Sequence, residues 1–297
     1  MSIRGWLVRN TVIRFFGWAT SHKRSAEQQR RFMHFFGKLS PPPRSTQVDD
    51  IDCNGVPCSL IRAKGVDENA PLFLYFHGGG YVIGSPFTYR DFGSQISKAL
   101  GVRVLMADYR LAPENPYPAG IDDAYSAWQW ILQQGQSASD TFVAGDSAGA
   151  GMASALMLRI KAKGEEQPGK AWLISPFCDL TFSGESYKTH VKRDVELSPQ
   201  VLKQWGDAFV SPELLAQSPE LHPCTEDLSG WPPICIQVGT EEVLLDDSRM
   251  LRDNAAKYDL DCDYSEWQGM WHVFQPYGKF APEPKQAFNA AMAFFKK

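Results

Sequence analysis

Phe142-Val143-Ala144-Gly145-Asp146-Ser147-Ala148-Gly149-Ala150-Gly151 is the stretch whose reading decides the fold of this chain. A short apolar run stops at a Gly-x-Ser-x-Gly pentapeptide, and small residues compatible with a helix follow. The pattern reads as strand, sharp turn and helix, with Ser147 at the apex. Gly145 and Gly149 let strand and helix approach closely around a strained serine and leave its hydroxyl exposed. The first turn of such a helix also offers unpaired backbone N–H groups, which suit a developing anion. In isolation the pentapeptide is a weak signal, since Gly- and Ser-rich loops produce it by chance. Its surroundings decide.

Upstream, Pro71-Leu72-Phe73-Leu74-Tyr75-Phe76 is a buried-strand run that empties into His77-Gly78-Gly79-Gly80. Two further segments, Tyr109-Arg110-Leu111-Ala112-Pro113-Glu114 and Gly269-Met270-Trp271-His272-Val273-Phe274, complete a set of four. Jointly these segments resemble the hormone-sensitive-lipase-like (bacterial type IV) family of α/β-hydrolase carboxylesterases, in that family's order. The resemblance implies an α/β-hydrolase fold, with a mostly parallel central sheet flanked by helices and a helical cap. It also implies that the glycine triplet supplies oxyanion-hole amides. Residues 1–45 match nothing diagnostic of the family.

Composition narrows the alternatives. The 297 residues are 43% hydrophobic and 22% charged, as in an ordinary globular protein. A net charge of −4 and a pI near 5.9 argue against a nucleic-acid binder, which would show a basic face. Six cysteines are too few for a disulfide framework in a chain this long, and no paired Cys-x-x-Cys units suggest zinc. Reduced thiols in a cytoplasmic protein are the expectation, with Cys53 and Cys58 facing each other across a hairpin. No stretch approaches the ~20 apolar residues of a membrane span. Residues 3–18 are amphipathic, but arginines interrupt the apolar core that a signal peptide requires. A helix packed over an active site is expected there, with a membrane-surface helix as the alternative.

Along the chain, helices are expected over 3–18 and 24–38, closed by Pro41-Pro42-Pro43. Thr46 to Ala63 reads as a hairpin about Asn54-Gly55. Strands at 71–76, 102–107, 140–144, 170–174, 233–238 and 260–266 then alternate with helices at 87–99, 119–134, 148–163, 246–257 and 284–296. Such alternation calls for a mostly parallel sheet covered on both faces. Residues 179–230 break it, with Ser198-Pro199 opening a helix that carries Trp205 and Phe209. The expected organisation is a catalytic domain of residues 46–178 and 231–297, under a discontinuous helical cap of 1–45 and 179–230.

A serine hydroxyl is a poor nucleophile unless a base takes its proton and an acid holds the base. Among six histidines, His272 alone follows the last core strand, where this topology places the base. The acid belongs on Gly239-Thr240-Glu241-Glu242, after the strand ending at Val238. Glu242 is preferred to Glu241, because relatives resembling this chain carry Asp three residues after the glycine. Asp246 and Asp247 are read as first-turn acids serving their own helix. By the resemblance, the amides of Gly79, Gly80 and Ala148 form the oxyanion hole. His77 is read as structural, bonded to a backbone group at the mouth of the glycine loop. Asp146 is read as a brace for the serine turn, and Arg110 and Glu114 as a pair under the glycine loop oriented by Asp122. Tyr81, Trp205, Phe209 and Trp271 are candidates for lining the substrate pocket. The function expected is hydrolysis of short- to medium-chain acyl esters, with no metal, no organic cofactor and a small-molecule ester as the only necessary partner. A homodimer is compatible with this reading. The rivals are an amidase or deacetylase with the same triad, and a non-catalytic receptor on the same fold.

Overall fold

The hairpin forms about Asn54-Gly55, both residues having positive φ (57° and 87°). It joins β1 (Gln47–Cys53) to β2 (Val56–Arg62). Cys58 lies opposite Ile51 and Cys53 opposite Val56, so the two thiols are diagonal neighbours, and all six cysteines are free. The computed structural model describes all of residues 1–297. The other strands are β3 (Leu72–Phe76), β4 (Arg103–Ala107), β5 (Phe142–Asp146), β6 (Lys170–Ile174), β7 (Ile234–Gly239) and β8 (Cys262–Trp267). They form one eight-stranded sheet in the order β1-β2-β4-β3-β5-β6-β7-β8. The hairpin side is antiparallel, and β4 through β8 are parallel. Each core strand lies within about two residues of its expected position.

A parallel sheet needs cover on both faces, and β3 shows how the residues supply it. Leu72, Leu74 and Phe76 belong to one apolar cluster, while Phe73 and Tyr75 belong to another on the opposite face. The covering helices are α4 (Pro86–Leu100), α5 (Ala119–Gln133), α6 (Ala148–Ala162), α10 (Leu245–Ala256) and α11 (Pro282–Phe295). α6 is buried along almost its whole length because it lies against the centre of the sheet. There a Cβ on Gly149 would sit 2.1 Å from the Phe76 carbonyl oxygen, so only glycine fits.

Two segments stand outside this alternation. The first begins with α1 (Ile3–Val8), a π-helical turn (Arg9–Ile13) and α2 (Arg14–Ala19), which run on without a break as the single helix expected there. It ends with α3 (Ala26–Leu39), which starts on a capping box between Ser25 and Gln28. The second holds α7 (Ser186–Thr189), α8 (Pro199–Phe209) and α9 (Pro212–Leu215). They meet where Trp205 Nε1 donates to buried Gln29 Oε1 at 3.0 Å, while Gln29 Nε2 donates to the carbonyls of Thr20 and Ser21.

Candidate active site

Three loops at the carboxyl ends of β5, β7 and β8 converge, as the parallel order dictates. Ser147 follows β5 directly, with φ 54° and ψ −122°. A non-glycine residue tolerates that conformation only where its surroundings hold it. Here its amide donates to Ile174 O (2.8 Å), and its carbonyl accepts from Phe177 N (3.0 Å). Asp146 braces the other side: Oδ1 accepts from Tyr75 Oη (2.7 Å) and Gly78 N (3.1 Å), and Oδ2 from Tyr89 Oη (2.8 Å). Burial raises the Asp146 carboxyl to about 6, against the pull of those donors. The expected role of Asp146 as a brace is thus visible in its partners.

His272 follows β8, and its Nδ1 lies 2.7 Å from Glu242 Oε2. Glu242, fully buried on the loop after β7, uses Oε1 to accept from Gly239 N (2.5 Å) and Ser175 Oγ (2.8 Å). Ser175 Oγ in turn accepts from Val273 N (3.3 Å), beside the histidine. Burial raises the Glu242 carboxyl, opposed first by its hydrogen bond to His272. For His272, burial disfavours the imidazolium, yet the hydrogen bond and charge of Glu242, helped by Glu196 and Asp194, outweigh it and push the ring up to about 9. Glu241 is turned away, toward Arg9 (3.4 Å) and Arg193 (3.6 Å).

Ser147, His272, Gly79 and Trp205 share the wall of one cavity of ≈ 590 Å³, most of whose lining is apolar. Ser147 lines this space, and its hydroxyl makes no hydrogen bond to His272 here; in unliganded hydrolases the serine–base bond often forms only once substrate is bound. Gly79 and Gly80, at φ 121° and 61°, hold amides that donate to no group of the protein. Ala148 opens α6, where an N–H has no partner within the helix. A Cβ on Gly80 would meet the Trp205 ring at 2.1 Å.

Of the four aromatic pocket candidates, only Trp205 is in that wall. Tyr81 stacks on Phe209 (centroids 4.0 Å apart, 11° between planes) and donates its hydroxyl to Phe177 O (2.9 Å). Trp271 is fully buried with Ile13, Met270 and Phe274, tying the helices of residues 1–19 to the His272 loop. The pairing expected at residues 110–123 is redistributed. Arg110 bonds Asp123 one turn into α5 (2.7 Å), while Glu114 bonds Arg30 of α3 (2.7 Å) and Asp122 bonds Arg159 (2.7 Å). Asp246 and Asp247 do open α10, and Asp246 pairs with Arg249 of the same helix (3.2 Å), but both also reach a different loop: Asp246 accepts from Ser186 N, and buried Asp247 from Cys178 N, Asp179 N and Tyr187 Oη. His77 bonds the Gly78 carbonyl (2.9 Å), stacks on Tyr109, and is held near pKa 4 by burial.

Two acids on 179–230, Asp194 and Glu196, join the site with no motif to mark them. Asp194 Oδ1 accepts from Glu196 N and Leu197 N, and Oδ2 from Val243 N, all at 2.9 Å, clamping this segment to the Glu242 loop. Glu196 lines the cavity with no partner for its carboxylate, which burial raises to about 8. The only sequence signal was an acid three residues before the leucine that precedes Ser198-Pro199, a common turn pattern.

The strained serine at a strand–helix turn, with a histidine–carboxylate pair across an apolar cavity, defines an α/β-hydrolase site. A family model described as an α/β-hydrolase fold matches residues 73–276. The chain belongs to the α/β-hydrolase family, in its hormone-sensitive-lipase-like carboxylesterase branch. It is similar to an esterase of Acinetobacter venetianus, 35% identical over 84% of this chain and 82% of that one. An acetyl-hydrolase of Streptomyces hygroscopicus is 34% identical over 93% and 92%. Among solved structures, an esterase from the bacterial hormone-sensitive lipase family superposes with a TM-score of 0.92 at 35% identity, covering 99% of this chain and 97% of that one.

Proposed function

We propose that the chain is a serine carboxylesterase that hydrolyses short- to medium-chain acyl esters through an acyl-enzyme. The observation that carries this reading is the 2.7 Å Glu242–His272 bond opening on the cavity that holds Ser147 at φ 54°. In this mechanism Ser147 Oγ attacks the ester carbonyl while His272 Nε2 takes its proton. Glu242 keeps the proton of His272 on Nδ1 and stabilises the imidazolium as it forms. The amides of Gly79, Gly80 and Ala148 hold the tetrahedral oxyanion, each worth ~3 kcal/mol of transition-state stabilisation. His272 then protonates the leaving alcohol, and a water activated by the same ring releases the acid.

Residues 1–45 and 179–230 act together as the cap, joined by the Gln29–Trp205 bond and covering the serine. A cavity of ≈ 590 Å³ has the size of small-ligand sites and suits a small ester. Short acyl groups are supported by the acetyl-hydrolase relative, and by a 30% identical solved relative that was soaked with p-nitrophenyl butyrate. The test is hydrolysis of p-nitrophenyl esters from acetyl to palmitoyl by wild type and Ser147→Ala. Short-chain activity lost in the variant is expected. Activity that survives in Ser147→Ala, or a wild type inert on every ester, would refute the reading.

A further inference from the structure

Residues 1–45 differ electrically from the rest of the chain. They carry nine Lys and Arg against one acid, Glu27, whereas residues 46–297 carry 33 acids against 21 Lys and Arg. The same segment holds nine of the thirteen large apolar side chains left exposed by the fold. Ile3 (81% exposed), Trp18 (61%), Trp6, Leu7, Phe15 and Phe35 are among them. Arg4, Arg14, Lys23 and Lys38 stand exposed between them, and the Arg24 guanidinium lies 4.1 Å over the Trp18 ring.

This face is fixed in place from behind. Ser2 bonds Glu283 of α11 through its backbone and its hydroxyl, and Ile13 is fully buried beside Trp271. A Cβ on Gly17 would lie 2.6 Å from the backbone of Glu196, so α2 rests directly on the loop carrying that cavity residue. From the exposed face an aromatic series leads inward: Trp18 stacks on Phe15 (5.6 Å), Phe15 meets Phe32 (5.6 Å), and Phe32 meets Phe16 and Phe36 (5.8 and 5.3 Å). Phe16 and Phe36 line the same cavity as Ser147. The exposed apolar surface is therefore continuous with the catalytic chamber.

We infer that this face docks on an anionic lipid surface, with its aromatic side chains at the headgroup level, and admits lipid-partitioned esters to Ser147 from that side. Cations interleaved with Trp and Phe on helices lying along a surface are the signature of interfacial binding. A second copy fits less well. A two-fold contact would press cation against cation, and the four exposed apolar side chains elsewhere lie in four separate segments. No helix is long and apolar enough to cross a bilayer, so the contact is peripheral. Delivery of substrate rests on the esterase reading; docking does not.

The experiment is flotation of the full chain with phosphatidylcholine vesicles, with and without phosphatidylglycerol. Binding is expected only to the anionic vesicles, weakening as salt is raised. Arg4→Gln and Arg14→Gln should each weaken it about fivefold. Trp6→Ser with Trp18→Ser should abolish flotation while hydrolysis of dissolved p-nitrophenyl butyrate stays at the wild-type rate. A wild type that fails to float with anionic vesicles at low salt overturns the inference, as does a double variant that floats equally well. Self-association of wild type, lost in the double variant and without flotation, would assign the face to a second copy. Flotation by a wild type inert on dissolved ester would leave docking standing and remove the esterase reading alone.

Discussion

Replacing Glu242 by Gln probes the geometry of the site most sharply, because the side chain keeps its shape and loses its charge. In the wild type Oε1 accepts from Gly239 N–H and Ser175 Oγ, and Oε2 accepts from His272 Nδ1. The amide of Gln has one oxygen, and two donors already claim the Oε1 position. The NH₂ group therefore turns toward His272, so that Nδ1 becomes an acceptor and the ring proton moves to Nε2. That tautomer cannot take the proton of Ser147. Loss of the correct tautomer and of the stabilising charge in such a triad costs about 10⁴ in kcat, or roughly 5 kcal/mol. The assay is the steady-state rate on p-nitrophenyl butyrate, beside thermal unfolding, where a small shift is expected because the buried bonds to Gly239 and Ser175 persist. Glu241→Gln is the control: it weakens contacts to Arg9 and Arg193 that lie away from His272, and leaves kcat within about twofold. A Glu242→Gln enzyme within tenfold of wild type, or a crippled Glu241→Gln, would refute the reasoning.

The other predictions concern titration and the serine turn. Because Glu242 and its acidic neighbours push His272 up to about 9, against burial, the free base appears only as pH rises above the ordinary 6.5. kcat/KM should accordingly climb through an acid limb centred above 6.5. By the same sign, the stability that His272 contributes is complete below pH 6.5 and is lost as pH rises toward 9, which denaturant melts across that window would read. Glu196, itself raised to about 8, lends its charge to His272 only in the upper part of that window; Glu196→Gln removes that charge, so the acid limb of kcat/KM should move to lower pH, and an upward shift, or none, contradicts the role given to Glu196. Asp146→Ala would leave the buried Tyr75 hydroxyl, the half-buried Tyr89 hydroxyl and the Gly78 N–H without an acceptor. It should cost about 3–5 kcal/mol in urea unfolding, and a loss under 1 kcal/mol would show that Asp146 is not the brace.

How much of this was legible depended on the range of the contact. Strands and covering helices were readable to within a few residues, because β3 and its neighbours must be apolar on both faces and glycines mark where strand and helix touch. The elbow at Ser147 was readable for the same local reason and His272 from its place after the last core strand, with the family resemblance supplying the rest. Side-chain partners between distant segments were not readable. Arg110 found Asp123 instead of Glu114 because α5 brings Asp123 beside its backbone amide, while α3 delivers Arg30 to Glu114. Asp247 serves the 178–187 loop because that loop folds back over α10. Trp271 was a reasonable pocket candidate from its place beside His272, yet its ring packs into the cluster with Ile13 and Phe274. Glu196 gave no local signal, since only the approach of α2 and the His272 loop makes that carboxylate part of the cavity.

The central claim is that Ser147 is the nucleophile, activated by His272. The direct measurement is intact-mass and peptide-mapping spectrometry after treatment with phenylmethylsulfonyl fluoride, taken alongside residual ester hydrolysis. One sulfonyl group per chain, confined to the peptide bearing Ser147 and rising in proportion to lost activity, is the predicted result. Modification at another residue, or full hydrolysis by chains already sulfonylated at Ser147, would contradict it.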